Sequence, residues 1–236
     1  MKVGILQCDS VRSQFQGRHG DYPEMIASLL RQVLPAIHIE VYDVVAGHYP
    51  SKPDECDAYI TTGSKASVYD GEAWIAELQD FIIRLYQAEQ KLIAICFGHQ
   101  LVAQAFGGCV VKSEKGWGVG VHAMTVMADK PWMKPPLAVA HLLVSHQDQV
   151  VALPPEAELI AGSSFCPYAM FQLGGNILTV QGHPEFSAPY AADLMGFRRE
   201  ILGEARYCAG IESLQTATDE VAIARWMVAF ITDASS

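Results

Sequence analysis

Positive charge is scarce in this chain of 236 residues: 16 Lys and Arg stand against 26 Asp and Glu, a formal net charge of −10. No Lys/Arg cluster interrupts the deficit, which argues against nucleic acid or an anionic membrane surface as a partner, since both select basic patches. No apolar run approaches 18 residues, so no segment reads as crossing a membrane. The opening Met1-Lys-Val-Gly-Ile-Leu-Gln-Cys8 lacks the long apolar core and small-residue cleavage site of a signal peptide. Cys8, Cys56, Cys96, Cys109, Cys166 and Cys208 form no C-x-x-C pair and no dense framework. In a chain of this length that points to a reducing compartment, and the cytoplasm is the expected location. There is no internal repeat, no low-complexity tract and no linker-like stretch, so one domain over residues 1–236 is expected. No P-loop is present. The histidines at 99, 141, 146 and 183 lack the paired short spacings of zinc sites, so no metal ligand and no cofactor is expected.

What the chain has in plenty is apolar residues, half of the total, in a pattern of alternating short strands and amphipathic helices. Lys2 to Cys8, Ile37 to Val45, Asp57 to Thr62 and Lys91 to Ile95 read as strands. Asp9 to Gly20 reads as a polar loop. Tyr22 to Leu34 fits a helix with Pro23 near its start and Pro35 after its end. Glu72 to Gln90 is the clearest helix, with Trp74, Ile75, Leu78, Phe81, Ile82 and Leu85 at helical spacing. This rhythm predicts an α/β fold: a mostly parallel central sheet with helices on both faces. After Gly108 the rhythm changes to short strand candidates at 109–112, 119–127, 140–145, 157–161, 168–173 and 177–181. They are separated by turns rather than helices, as antiparallel hairpins extending the core would be. Two helices, 188–203 and 218–231, are expected to close the chain.

The stretch with the strongest chemical signal is Lys91-Leu-Ile-Ala-Ile95, Cys96-Phe97-Gly98-His99-Gln100, then Leu101 to Gly108. It reads as a buried strand, a turn and a helix, with Cys96 at the turn and the small residues Ala94 and Gly98 on either side. A sharp strand-to-helix turn pushes one side chain outward, as in the nucleophile elbow of hydrolases. The helix N-terminus there favours a thiolate. A free cysteine is otherwise among the most buried residue types, so the deciding feature lies further on. It is Gly182-His183-Pro184-Glu185, which follows the strand ending at Gln181. The carboxyl ends of strands are where open α/β sheets bind ligands. Cys96, His183 and Glu185 make a complete set: a nucleophile, a proton carrier and an acid that orients the imidazole.

Ile95-Cys96-Phe97-Gly98-His99-Gln100 together with Gln181-Gly182-His183-Pro184-Glu185 resembles the class I glutamine amidotransferases, the glutaminase half of enzymes such as GMP synthetase. The resemblance runs from the first strand to about Phe186. It implies a flavodoxin-like sheet. Thr62-Gly63-Ser64 falls where the family has its glycine-containing oxyanion strand, and Ser145-His146-Gln147-Asp148 where GMP synthetase-like members carry a Ser-His-x-Asp segment. Where many relatives have glycine two residues before the nucleophile, this chain has Ala94, small enough to keep the turn.

The resemblance implies thiolate attack on the γ-carboxamide of glutamine, a γ-glutamyl thioester, and release of ammonia and glutamate. The backbone N–H groups of Gly63 and Phe97 are the expected oxyanion donors. Gln100, Ser145, His146 and Gln147 are the expected holders of the amino-acid end of the small-molecule substrate. The segment from Phe186 to Ser236 leaves no room for an ammonia acceptor, so a synthetase subunit would be a separate partner. The same triad serves a γ-glutamyl peptidase acting on glutathione-like compounds. A non-catalytic regulatory or binding module on this fold is the reading from another class.

Overall fold

The computed structural model describes residues 1–233. Its strands in chain order are β1 (Lys2–Gln7), β2 (His38–Asp43), β3 (Ala58–Thr61), β4 (Lys91–Ile95), β5 (Cys109–Lys112), β6 (Gly118–Val126), β7 (Val139–His146), β8 (Asp148–Ala152), β9 (Ala157–Gly162), β10 (Met170–Leu173) and β11 (Ile177–Val180). Its helices are α1 (Ser13–His19), α2 (Tyr22–Val33), α3 (Ala73–Gln87), α4 (Phe97–Ala105), α5 (Ala188–Phe197), α6 (Arg199–Leu202), α7 (Glu204–Ser213) and α8 (Glu220–Thr232).

Nine strands form one sheet in the order β2-β1-β3-β4-β11-β10-β9-β6-β7. The first five are parallel to one another; the rest extend the sheet antiparallel. The expected mixture of parallel core and antiparallel extension is therefore present. Each central strand has to bury both faces, which is why it reads as a continuous apolar run. In β4 the two faces separate by alternation: Ile93 and Ile95 pack with Ile26, Trp226 and Phe230 on one side, while Leu92 and Ala94 pack with Leu78, Phe81 and Leu101 on the other. Helix α2 begins with a capping box between Asp21 and Glu24 and has Pro23 in its first turn, the arrangement that satisfies orphan N–H groups at a helix start.

Three segments differ from expectation. The polar loop after β1 contains α1, a helix with no buried residue, which leaves no apolar stripe to read. Strand β8 pairs with β5 in a separate two-stranded ribbon packed on α4. The region after Phe186 holds four helices rather than two: the first expected helix breaks at Arg198, and α7 follows Gly203. Only Gly210 of α7 is buried, so its hydrophobic periodicity is faint.

Candidate active site

Strand β4 lies between β3 and β11 and is parallel to both, with Thr61 and Thr179 each in register with Ala94. The chain therefore leaves all three strands at the same edge of the sheet. Gly63 follows β3, Cys96 follows β4 and His183 follows β11. Positions far apart in sequence meet there because the strand order makes them neighbours.

Cys96 is the N-cap of α4 with φ +50° and ψ −99°. Positive φ is rare for a residue with a side chain and costs of order 1–3 kcal/mol, so it persists only where the surroundings impose it. They do so here through three hydrogen bonds. Cys96 N–H donates to the Val180 carbonyl at 2.8 Å, Gln100 N–H to the Cys96 carbonyl at 3.1 Å, and Ile95 N–H to Thr61 Oγ1 at 3.0 Å. Gly98 is the matching concession: a Cβ there would run into the Thr61 side chain, so α4 can start this close to β3 only with glycine. Cys96 is 5 % exposed; it lies on the floor of a cleft rather than in the sealed interior.

His183 N–H bonds the Leu143 carbonyl at 2.8 Å, which anchors the residue to β7. Its Nδ1 is 2.7 Å from Glu185 Oε1, with the Glu185 side chain fully buried. Its ring stacks on Phe186 at 3.9 Å between centroids and 10° between planes. Phe186 in turn stacks on Tyr22 at 6.0 Å. Burial works against a charged ring at this position. The Glu185 carboxylate, then the charge and hydrogen bond of Cys96, outweigh it and hold the His183 pKa up at about 10. His183 is thus an imidazolium at neutral pH, bonded to an acid on one side and to the sulfur on the other.

Gly63 closes the third side. A Cβ on it would stand 2.9 Å from His183 Cε1 and 3.5 Å from Cys96 Cβ, so only a bare Cα allows the backbone this near. The Thr62 hydroxyl fixes the strand exit, accepting from Cys8 N–H at 2.8 Å and donating to the Gly63 carbonyl at 2.9 Å. Phe97 is the first residue of α4, where a backbone N–H has no acceptor within the helix; its ring points away and packs on Trp74.

The remaining expected site residues all reach the same rim. Two clefts meet at Cys96. One, of about 360 Å³, is walled by Gln100, Ser145, His146 and Gln147. The other, of about 560 Å³, is walled by His183, Tyr22, Arg12 and Arg198. Gln100 Nε2 donates to the Asp148 carbonyl at 2.9 Å and to Gln181 Oε1 at 3.0 Å, so its amide nitrogen is committed to the protein. His146 is buried rather than on the surface. Its Nδ1 lies 3.0 Å from the Asp148 carbonyl, which can only accept, so Nδ1 carries the proton. Burial pushes the His146 pKa down to about 3 despite that bond, and the ring is neutral. Among the described residues no cluster of three or more His, Cys, Asp or Glu side chains is arranged to hold a metal ion.

Two contacts were not foreseen. Gln181 Nε2 reaches Cys96 Sγ at 3.6 Å; its place directly before Gly182-His183 was the available signal. Arg198 lies in both clefts and donates to Ser145 Oγ at 2.7 Å. Nothing in the sequence around it distinguishes it from a surface arginine.

Comparison with known proteins finds a family, relatives and a shared fold. The family model described as Glutamine amidotransferase class-I matches residues 28–197. A glutamine amidotransferase-like protein of Schizosaccharomyces pombe is 33 % identical over 199 residues, 78 % of this chain and 79 % of that one. Gamma-glutamyl peptidase 4 of Arabidopsis thaliana is 30 % identical over 184 residues, 75 % of this chain and 72 % of that one. The crystal structure of a glutamine amidotransferase from Thermotoga maritima superposes with a TM-score of 0.75 at 16 % identity, covering 98 % of this chain and 95 % of that one.

Proposed function

The chain belongs to the class I glutamine amidotransferase family, and from that premise we propose that it hydrolyses γ-glutamyl amides, glutamine among them, through a thioester on Cys96. The sulfur attacks the γ-carbonyl carbon, and the oxygen becomes an oxyanion received by the N–H groups of Gly63 and Phe97. A donor so placed is typically worth about 10²–10³ in rate. His183 gives its proton to the departing nitrogen, the C–N bond breaks, and ammonia or an amine leaves. His183 then takes a proton from water, whose oxygen attacks the thioester and frees glutamate and the thiolate. Glu185 keeps the imidazole oriented throughout and stabilises its charged form at the start and end of the cycle. Gln100, Ser145, His146 and Gln147 wall the cleft that takes the glutamyl end.

The observation that supports this reading most is the strained backbone of Cys96, held at positive φ beside a buried His183–Glu185 pair. A packing cysteine has no use for that strain. The test is turnover of glutamine and γ-glutamyl amides by wild type and Cys96→Ala, with labelling by the glutamine-mimicking electrophile diazo-oxo-norleucine mapped by mass spectrometry. Label on Cys96 and loss of turnover in the variant are expected; equal turnover by the two proteins refutes the reading. A second reading, in which the leaving nitrogen carries a larger group, is favoured by the likeness to the Arabidopsis peptidase and by the room beside His183. In a third arrangement the ammonia passes to a separate synthetase subunit.

A further inference from the structure

The two clefts that meet at Cys96 are not equivalent. His183 walls the larger and is absent from the walls of the smaller, whereas Gln100, His146 and Gln147 wall only the smaller. In acyl transfer to a thiol, the group that leaves departs on the side of the acid that protonates it. The larger cleft is therefore the leaving-group side. Its volume of about 560 Å³ far exceeds the roughly 30 Å³ a water-sized molecule such as ammonia occupies.

The charge in that cleft is also unbalanced. Asp9 is neutralised by Lys65, whose Nζ lies 3.0 Å away and whose backbone N–H bonds the same carboxylate. Glu185 is paired with His183. What remains is Arg12 and Arg198. The Arg12 guanidinium lies over the Phe197 ring at 4.0 Å, and that of Arg198 over the Trp117 ring at 4.8 Å. Arg198 also donates to Ser145. Among the described residues neither arginine has a carboxylate partner within ion-pair distance, and burial first, with the Arg12 charge adding to it, works against the charge of Arg198. In a chain of net charge −10, two unpaired guanidinium groups facing one cleft are out of character. Arg12 is exposed and Arg198 half-buried; a half-buried cation is ordinarily paired, and the planar fork of arginine matches a carboxylate.

We propose that Arg12 and Arg198 form a subsite for a carboxylate on the leaving amine, so that γ-glutamyl amino acids or peptides with a free carboxylate are preferred over neutral γ-glutamyl amides. The inference rests on the proposed γ-glutamyl chemistry and adds the charge class of the group released. No extra reactant is needed: water enters, the amide C–N bond breaks, and the amine leaves with the proton from His183.

The experiment compares kcat/KM for γ-glutamyl-alanine and γ-glutamyl-alanine amide, which match in size and differ in terminal charge, with glutamine as reference. A preference of roughly 10- to 100-fold for the free carboxylate is expected, the range that charged hydrogen bonds support. Arg12→Gln, an exposed position with little bearing on folding, should bring the ratio of the two substrates towards one, and Arg198→Gln should do the same. A wild-type ratio near one, or a ratio untouched by both substitutions, overturns the subsite. So does an Arg198→Gln loss that is equal on all three substrates, which would assign that arginine to the glutamyl carboxylate. Those outcomes all leave turnover dependent on Cys96. Turnover that survives Cys96→Ala, or none on any γ-glutamyl substrate, brings down the proposed chemistry and the subsite with it.

Discussion

Replacing Glu185 by glutamine removes one charge and almost no volume, so its effect isolates electrostatics. In the native site the carboxylate is fully buried, 2.7 Å from His183 Nδ1. The glutamine amide oxygen can still accept from Nδ1–H, so the ring keeps its place. Burial is already the strongest single influence on the ring, and without the carboxylate, the chief influence opposing it, the His183 pKa falls from the value near 10 that it now has. A hydrogen bond to a charged group contributes about 1.5–3 kcal/mol and a neutral one about 0.5–1.5. The difference of about 1–2 kcal/mol corresponds to a loss of roughly 5- to 30-fold in kcat/KM. Two measurements check it: kcat/KM on glutamine or a γ-glutamyl amide, and the pH at which the His183 ring loses its charge, from the ring ¹⁵N shifts of histidine-labelled protein. The ring of Glu185→Gln should lose its charge about one pH unit or more below that of wild type. A variant that keeps both its rate within about twofold and the wild-type titration midpoint would refute the idea that this carboxylate sustains the imidazolium.

Three other outcomes follow from the same geometry. Cys96→Gly, by freeing the backbone at φ +50°, should be more stable to denaturant than Cys96→Ala by about 1 kcal/mol or more, both being inactive; equal midpoints would mean that the turn is unstrained. Gly63→Ala should fold but lose most turnover, because the new methyl group meets the His183 ring 2.9 Å away; a circular dichroism spectrum like the wild type's with near-normal kcat would contradict this. The His183 pKa is raised from 6.5 to about 10 on folding, so its contribution to stability is complete below pH 6.5 and fades as pH rises through 10. Melting temperatures of wild type should therefore fall over that window more steeply than those of His183→Asn.

Much of this architecture could be read from the residues because burial on both faces leaves a local mark. The apolar run at Lys91–Ile95 and the helical stripe from Trp74 to Leu85 could hardly have formed anything else. Cys96 was legible for a related reason: a small residue on each side of a polar one, between strand and helix, is a local signature. Helices α1 and α7 escaped because they bury almost nothing, and β8 because its partner is the four-residue β5 rather than the main sheet. Arg12 and Arg198 could not have been found at all. The role proposed for them rests on neither having an ion-pair partner among the described residues, which is a property of the folded neighbourhood and not of any stretch of chain.

Strand β11 sits in the middle of the sheet, between β4 and β10, yet it is the last of the eleven strands to be synthesised. During translation, which adds about 5–20 residues per second, Cys96 emerges several seconds or more before His183, and one edge of β4 stays open until β11 slots in. Cys96, His183 and Glu185 thus come into contact only when the sheet closes around its latest member. On the proposed chemistry the nascent chain is idle until then, and activity recovered after refolding would count molecules whose sheet is whole.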